Sequence, residues 1–209
     1  MGYQPIENYG IVGNMHTVAF VGINGSIDWL CLPQFDSPSV FAGVLDDQKG
    51  GAFKICPTKQ DITQKQFYWP DTNVLVTRFL SSEGVAEITD FMPVGGGRAG
   101  DQQRRSLIRS VHVDRGSMTF RLECRPAFNY ARDEHEVELI DQGICFQSKT
   151  LSLCLTSRVA LKRIDQGVAA EFTLHEGQTA TFELQGLPAG EVCANPLSEE
   201  EETQLQANS

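Results

Sequence analysis

Asp28 and Trp29, followed closely by Gln34, Phe35, Asp36 and Ser37, fall in the run Gly25–Asp46, GSIDWLCLPQFDSPSVFAGVLD. Carboxylates can move protons, aromatic faces can carry apolar ligand surface, and amides and hydroxyls can fix its orientation. Pro33 and Pro38 remove two backbone donors, so the segment Gln34–Phe41 is predicted to leave the sheet as an ordered loop. Asp36 before Ser37-Pro38 predicts an Asx-type turn, with Phe35 and Phe41 anchoring the two ends in the core.

The remaining chemistry-bearing residues are scattered. Of the acids Asp28, Asp36, Glu87 and Asp90, each reads most simply as a turn cap, an Asx hydrogen bond or a solvated strand face. No catalytic residue is assigned. Trp29, Phe35, Phe41, Phe67, Tyr68 and Trp69 could form a stacking platform, but core packing is the simpler reading, and Trp29 between Asp28 and Leu30 is expected to be buried. In Phe67-Tyr68-Trp69 strand alternation forces at least one ring outward. The four histidines have neither paired spacing nor a nearby cysteine, so no metal and no other cofactor is expected.

Six cysteines lack a CxxC pair. Cys31, Cys124, Cys145 and Cys154 sit among apolar strand residues, which predicts buried free thiols. The net charge of −10 argues against nucleic acid and against an anionic membrane. Arginines 98, 104, 105, 109, 115, 121 and 125 make one locally basic stretch, interrupted by acids and without interleaved aromatics. The N-terminal MGYQPIENYG has no basic and apolar signal pattern, which predicts a soluble, cytoplasmic protein.

The elements that must hold these residues are strands. In Met118–Arg125 the residues Met118, Phe120, Leu122 and Cys124 alternate with Thr119, Arg121, Glu123 and Arg125, the period-two pattern of a half-buried antiparallel strand. Asn73–Leu80, Glu136–Ile140, Gly143–Gln147, Leu151–Thr156, Ala169–Leu174 and Ala180–Leu184 are similar. Asn24-Gly25, Glu83-Gly84, Arg115-Gly116, Gln142-Gly143, Gln166-Gly167 and Glu176-Gly177 predict hairpin turns with glycine at positive φ. Ten or more short strands predict an all-β fold, a large two-sheet antiparallel β-sandwich of the supersandwich type over residues 1–190. Gly95–Gly100 (GGGRAG) reads as a flexible loop. Residues 191–209 carry five glutamates and no lysine or arginine. There Ser198 could cap the first turn of a linker helix.

Gly25–Asp46, read with the preceding IENYGIVGNMHTVAFVGINGS, resembles the opening of the trehalase-like N-terminal domain found in glycoside hydrolase family 15. Asp90-Phe91-Met92-Pro93, Arg105–Val113 (RSLIRSVHV) and Arg125–Tyr130 (RPAFNY) extend the resemblance over nearly the whole chain. The last is similar to a family segment that reads Pro-Arg-Phe-Asp-Tyr-Gly; here Ala127, Asn129 and Ala131 replace its Arg, Asp and Gly. Gln34 stands where many relatives have Arg.

The resemblance implies an inverting α-glucoside hydrolase, glucoamylase-like or trehalase-like, whose two catalytic glutamates belong to a following α/α barrel. This chain has no helical repeat to build that barrel. Residues 191–209 then read as an acidic stub toward a missing catalytic barrel of the same polypeptide, which would handle the α-glucoside substrate. The implied task of the chain is docking on and stiffening that barrel, with Asp28, Trp29, Gln34, Phe35, Asp36, Ser37 and Tyr130 as candidates for the docking or substrate edge. A freestanding carbohydrate-binding module and a structural oligomerisation domain are the alternatives. An orphaned docking face predicts a homodimer.

Overall fold

The computed structural model describes residues 3–94 and 105–192, together with 197, 198, 200, 201, 203 and 205. The Gly95–Gly100 loop, Arg98, Arg104 and Cys193 lie outside the described residues.

The first part of the chain contributes β1 (Tyr9–Gly13), β2 (Val18–Gly22), β3 (Ser26–Cys31), β4 (Ser39–Ala42), β5 (Ala52–Pro57), β6 (Thr63–Tyr68), β7 (Leu75–Leu80) and β8 (Gly84–Phe91). A 20-residue strand, β9 (Ser106–Arg125), follows. Then come β10 (Glu136–Ile140), β11 (Gly143–Gln147), β12 (Leu151–Ser157), β13 (Lys162–Ile164), β14 (Gly167–His175) and β15 (Thr179–Pro188). Every pairing among them is antiparallel.

The two-sheet sandwich is borne out, with β9 belonging to both layers. Its first half lies between β8 and β15, in the layer β6-β7-β8-β9-β15-β12-β11-β10. Its second half lies between β5 and β14, in the layer β1-β2-β3-β5-β9-β14-β13, and β4 also pairs with β3. We call these the second and the first layer. The strand changes layer at Gly116, where φ is +74° and an added Cβ would lie 2.0 Å from the Glu83 carbonyl oxygen. Asp114 is skipped in the register with β8, a bulge that sharpens the bend. Arg115-Gly116 is therefore a bend within one strand and not the expected hairpin turn.

Gly25 and Gly177 do have positive φ, as expected of their turns. Gly84, Gly143 and Gly167 do not; they open strands where backbone crowds the Cα. An added Cβ would meet the carbonyl oxygens of Arg115, Leu155 and Cys124 at 2.8, 2.3 and 2.6 Å. Close approach, and not torsion, requires glycine there.

The core lies between the layers. Phe172 of the first layer meets Phe182 of the second at 5.4 Å, while Met118, Phe120, Leu122 and Cys124 point inward as their alternation predicts. Asp90 and Arg109 pair inside this core. Asp90 is thus neither a turn cap nor a solvated acid, since both residues on neighbouring strands face inward. The cysteine expectation is also corrected in part. Cys145 and Cys154 are directly opposed on β11 and β12 and form a disulfide, whereas Cys31, Cys56 and Cys124 are free. Strand register brings the two sulfurs together and outweighs the inference from compartment.

Ser198 does cap a helical turn. Its hydroxyl accepts from the Glu201 N–H, and the Glu201 carboxylate accepts from the Ser198 N–H at 2.9 Å, a reciprocal capping box. Leu197 and Leu205 are buried with Val74, Phe91 and Ile108, so these two side chains lie on the outer face of the second layer. Among the described residues no helix is long and apolar enough to cross a membrane.

Candidate functional site

Three of the predicted site residues come together on the outer face of the first layer. Phe20 opposes Trp29 and Val21 opposes Ile27, so Asp28 is an extra residue in β3. This bulge lets Asp28 and Trp29 both face outward while Ile27 and Leu30 stay in the core. Regular alternation would have sent the two to opposite faces.

Asp28 is fully engaged. Its Oδ2 accepts from the Tyr9 hydroxyl at 2.7 Å and its Oδ1 from the Ser26 hydroxyl at 2.5 Å. Burial pushes the Tyr9 phenol up from its ordinary value, and the hydrogen bond and charge of Asp28 add to the shift. Tyr9 and Asp28 line a groove of about 410 Å³ that also takes in Lys54, Glu123 and Arg125. Glu123 faces Arg125 at 3.2 Å and Arg121 at 3.6 Å. A carboxylate holding two hydroxyl donors and another held by two arginines are suited to shaping a surface. They are not arranged as a general acid and a general base.

Trp29 is half-buried, not fully enclosed as expected. It belongs to a row of rings: Tyr9 to Phe20 at 6.4 Å, Phe20 to Trp29 at 6.3 Å, and Trp29 to Tyr130 at 6.3 Å. Arg132 closes the row, its guanidinium 5.8 Å from the centre of the Tyr130 ring. At that distance a cation is drawn to the ring face. Tyr130 reaches this position through an unusual turn, Phe128–Ala131, in which Asn129, Tyr130 and Ala131 have φ of 49°, 58° and 63°. Three successive non-glycine residues in the left-handed region are costly, and such strain collects where a side chain must be displayed. The turn is tied down by the N–H groups of Ala131, Arg132 and Asp133, which donate to the carbonyls of Ala127 and Phe128.

Gln34, Phe35, Asp36 and Ser37 form the β3–β4 connection. They do leave the sheet as an ordered loop, but its closure differs from expectation. The Ser37 N–H donates to the Gln34 carbonyl at 3.1 Å, and the Ser37 hydroxyl accepts from the Gln34 N–H at 3.1 Å. The serine hydroxyl thus replaces the expected Asp36 carboxylate, which is exposed. Phe41 is buried, but Phe35 is 56% exposed, so only one of the two expected anchors enters the core. The loop is instead fastened to the β1–β2 turn, where the Phe35 N–H donates to the His16 carbonyl at 2.9 Å. The Asx motif of the region belongs to Asn14, whose side-chain oxygen accepts from the His16 and Thr17 N–H groups.

Tyr9, Phe20, Ser26 and Arg132 were missed from the sequence. The Asn24-Gly25 turn was a usable signal for Phe20, because it brings β2 back against β3. Phe67, Tyr68 and Trp69 all show partly exposed rings, and Tyr68 has a specific task. Its hydroxyl accepts from the Ile11 N–H and donates to the Ile11 carbonyl, both at 2.8 Å. The two bonds close the open edge of β1. Glu87 pairs with Arg78 on the neighbouring strand. Among the described residues no three His, Cys, Asp or Glu side chains are grouped to hold a metal ion.

Residues 2–182 match the model of the family described as trehalase-like, N-terminal. The chain is 35% identical over 164 residues to a trehalase of Thermoplasma volcanium, covering 78% of this chain and 26% of that protein. It is 38% identical over 156 residues to trehalase 1 of Sulfolobus acidocaldarius, covering 75% and 25%. A trehalase of Mycobacterium tuberculosis is 28% identical over 145 residues, covering 62% and 21%. The chain therefore spans about a quarter or less of the length of these relatives. On the strength of the match over residues 2–182, the chain belongs to the trehalase-like N-terminal domain family.

Proposed function

We propose that the chain is a non-catalytic β-sandwich that docks on and stiffens the helical catalytic barrel of an inverting α-glucoside hydrolase, of trehalase or glucoamylase type. The observation that carries this reading is the family match over residues 2–182, combined with relatives about three times as long that are named trehalases. The row of rings ending at Tyr130 and the fastened loop Gln34–Ser37 supply the docking edge. A half-exposed aromatic row rimmed by Arg132 and bulged Asp28 has the mixed apolar and polar character of a domain contact. Without its partner, the same edge leaves Met15 and Phe35 exposed, and the isolated chain would then pair as a dimer.

Hydrogen exchange tests the docking role. The 209-residue chain is mixed with a separately expressed catalytic part of a close relative. Protection is expected at residues 34–37 and 128–132. Protection confined to other surfaces would overturn the reading, as would glucose release from trehalose or maltose by the chain alone.

A further inference from the structure

We propose that a polar groove on the outer face of the second layer, walled by Trp69, binds a short neutral oligosaccharide. The groove lies away from the docking edge and encloses about 820 Å³. That is enough for a ligand of disaccharide to trisaccharide size. Strand register builds its floor in two rows. Glu87, His112 and Thr179 stand opposite one another on β8, β9 and β15, and Thr89 and Ser110 form the next row.

The lining decides the ligand class. Among the described residues its charged groups are Glu87 and Asp114, while Arg78 is already paired with Glu87 from the neighbouring strand. A phosphate or polyanion would meet like charge there. A protein partner needs a desolvated apolar centre, and among the described lining residues Leu174 is the one aliphatic side chain, beside carboxylates, an imidazole, an amide and the hydroxyls of Thr89, Ser110, Thr179 and Thr203. What these groups fit is a ligand dense in hydroxyls that both donate and accept. The Thr179 hydroxyl is 2.9 Å from His112 Nδ1 and the Ser110 hydroxyl 3.4 Å from that of Thr181, so the hydroxyls are oriented before a ligand arrives.

Trp69 supplies the complementary surface. A hexose ring has an apolar face of C–H groups, and an indole face covers it with large contact area at low entropic cost. The ring is 42% exposed, and its backbone is fixed by the Trp69 N–H on the Val74 carbonyl and by Thr72, whose N–H and hydroxyl both donate to the Trp69 carbonyl.

The chain has two tryptophans, one on each outer face, which makes the test clean. The 209-residue chain is titrated with maltotriose, trehalose and inorganic phosphate while the two indole N–H resonances are followed. A saturable shift of the Trp69 resonance by a sugar, with Trp29 unmoved and phosphate silent, is the expected result. Trp69→Ala should weaken sugar binding at least tenfold, and Trp29→Ala should leave it unchanged. Absence of saturable binding by either sugar, a response at Trp29 in place of Trp69, or binding of phosphate would overturn the proposal. So would a larger form of the protein in which Trp69 is covered before any sugar is added. The inference is independent of the docking role, which is read at residues 34–37 and 128–132.

Discussion

The Arg109 Nε donates to the Asp90 Oδ1 at 2.7 Å with both side chains fully buried. Nη2 also donates to the Asp90 Oδ2 at 3.3 Å, and the other bonds of Arg109 reach across the sandwich, Nη1 to the Phe53 carbonyl at 2.8 Å and Nη2 to the Gly25 carbonyl at 2.9 Å. Its guanidinium also stacks over Phe53 at 4.9 Å. One side chain thereby ties the first half of β9 to the β2–β3 turn and β5 in the opposite layer. That turn leads into the bulge that displays Asp28 and Trp29, so the buried pair and the outer row of rings share a support.

Arg109→Met should therefore destabilise the chain by about 3–5 kcal/mol, because Asp90 is left buried and unpaired and the Phe53 and Gly25 carbonyls each lose one donor. Arg109→Met combined with Asp90→Leu should recover part of that loss. Urea unfolding of the four species of this cycle measures both values. A loss below about 1 kcal/mol for the single variant would mean that water reaches the site.

Ala131 offers a prediction of opposite sign. It stands where similar family segments carry glycine, and its φ is 63°. Glycine enters that region of backbone space without steric penalty. Ala131→Gly should stabilise the chain by about 1 kcal/mol, the steric relief exceeding the added freedom of the unfolded chain. The Tyr130 ring should stay against Trp29. A lower melting temperature in this variant would show that the turn is not left-handed in solution.

Much of this arrangement was legible in the sequence, and the exceptions have physical causes. Met118–Cys124 announced its inward face by alternation. The continuity of β9 was hidden because Arg115-Gly116 has the composition of a hairpin turn, and only the partners on both sides reveal a single strand. The outward pair Asp28-Trp29 was obscured by a bulge, which breaks alternation without a distinctive residue type. The Asp90–Arg109 pair depends on strands separated by the residues 92–105, a distance that local pattern does not span. The Cys145–Cys154 pair was within reach, since a hairpin closing between Ser148 and Leu151 sets the two opposite each other.

The disulfide closes a short loop, the cysteines being 9 positions apart. Chain-entropy reasoning assigns such a cross-link about 2–3 kcal/mol. Cys145→Ser combined with Cys154→Ser should lower stability by that order, and dithiothreitol should lower the melting temperature of the parent chain but not of the double variant. Peptide mapping without reductant should recover the two β-strand peptides joined. Equal sensitivity of both proteins to reductant would place the effect elsewhere.

His135 sets a pH dependence whose direction follows from its surroundings. Its ring packs between Phe128 at 5.2 Å and Phe146 at 5.7 Å, and Nε2 lies 2.9 Å from the Gln166 carbonyl, to which it must donate. Burial lowers the imidazole pKa from its ordinary value, and the bond to Gln166 only partly opposes this. The folded chain therefore holds the neutral ring at a pH where the unfolded chain already binds a proton. Stability from this group is complete above the unfolded value of about 6.5 and falls as pH drops from there toward the lower folded value. As pH drops below about 6.5 the melting temperature should decline, and His135→Gln should remove that part of the decline. Because the ring packs against Phe128 in the turn that carries Tyr130, hydrogen-exchange protection at residues 128–132, relative to the intrinsic rate at each pH, should fall over the same interval in the parent chain. An unchanged pH profile in His135→Gln would assign the decline to another group.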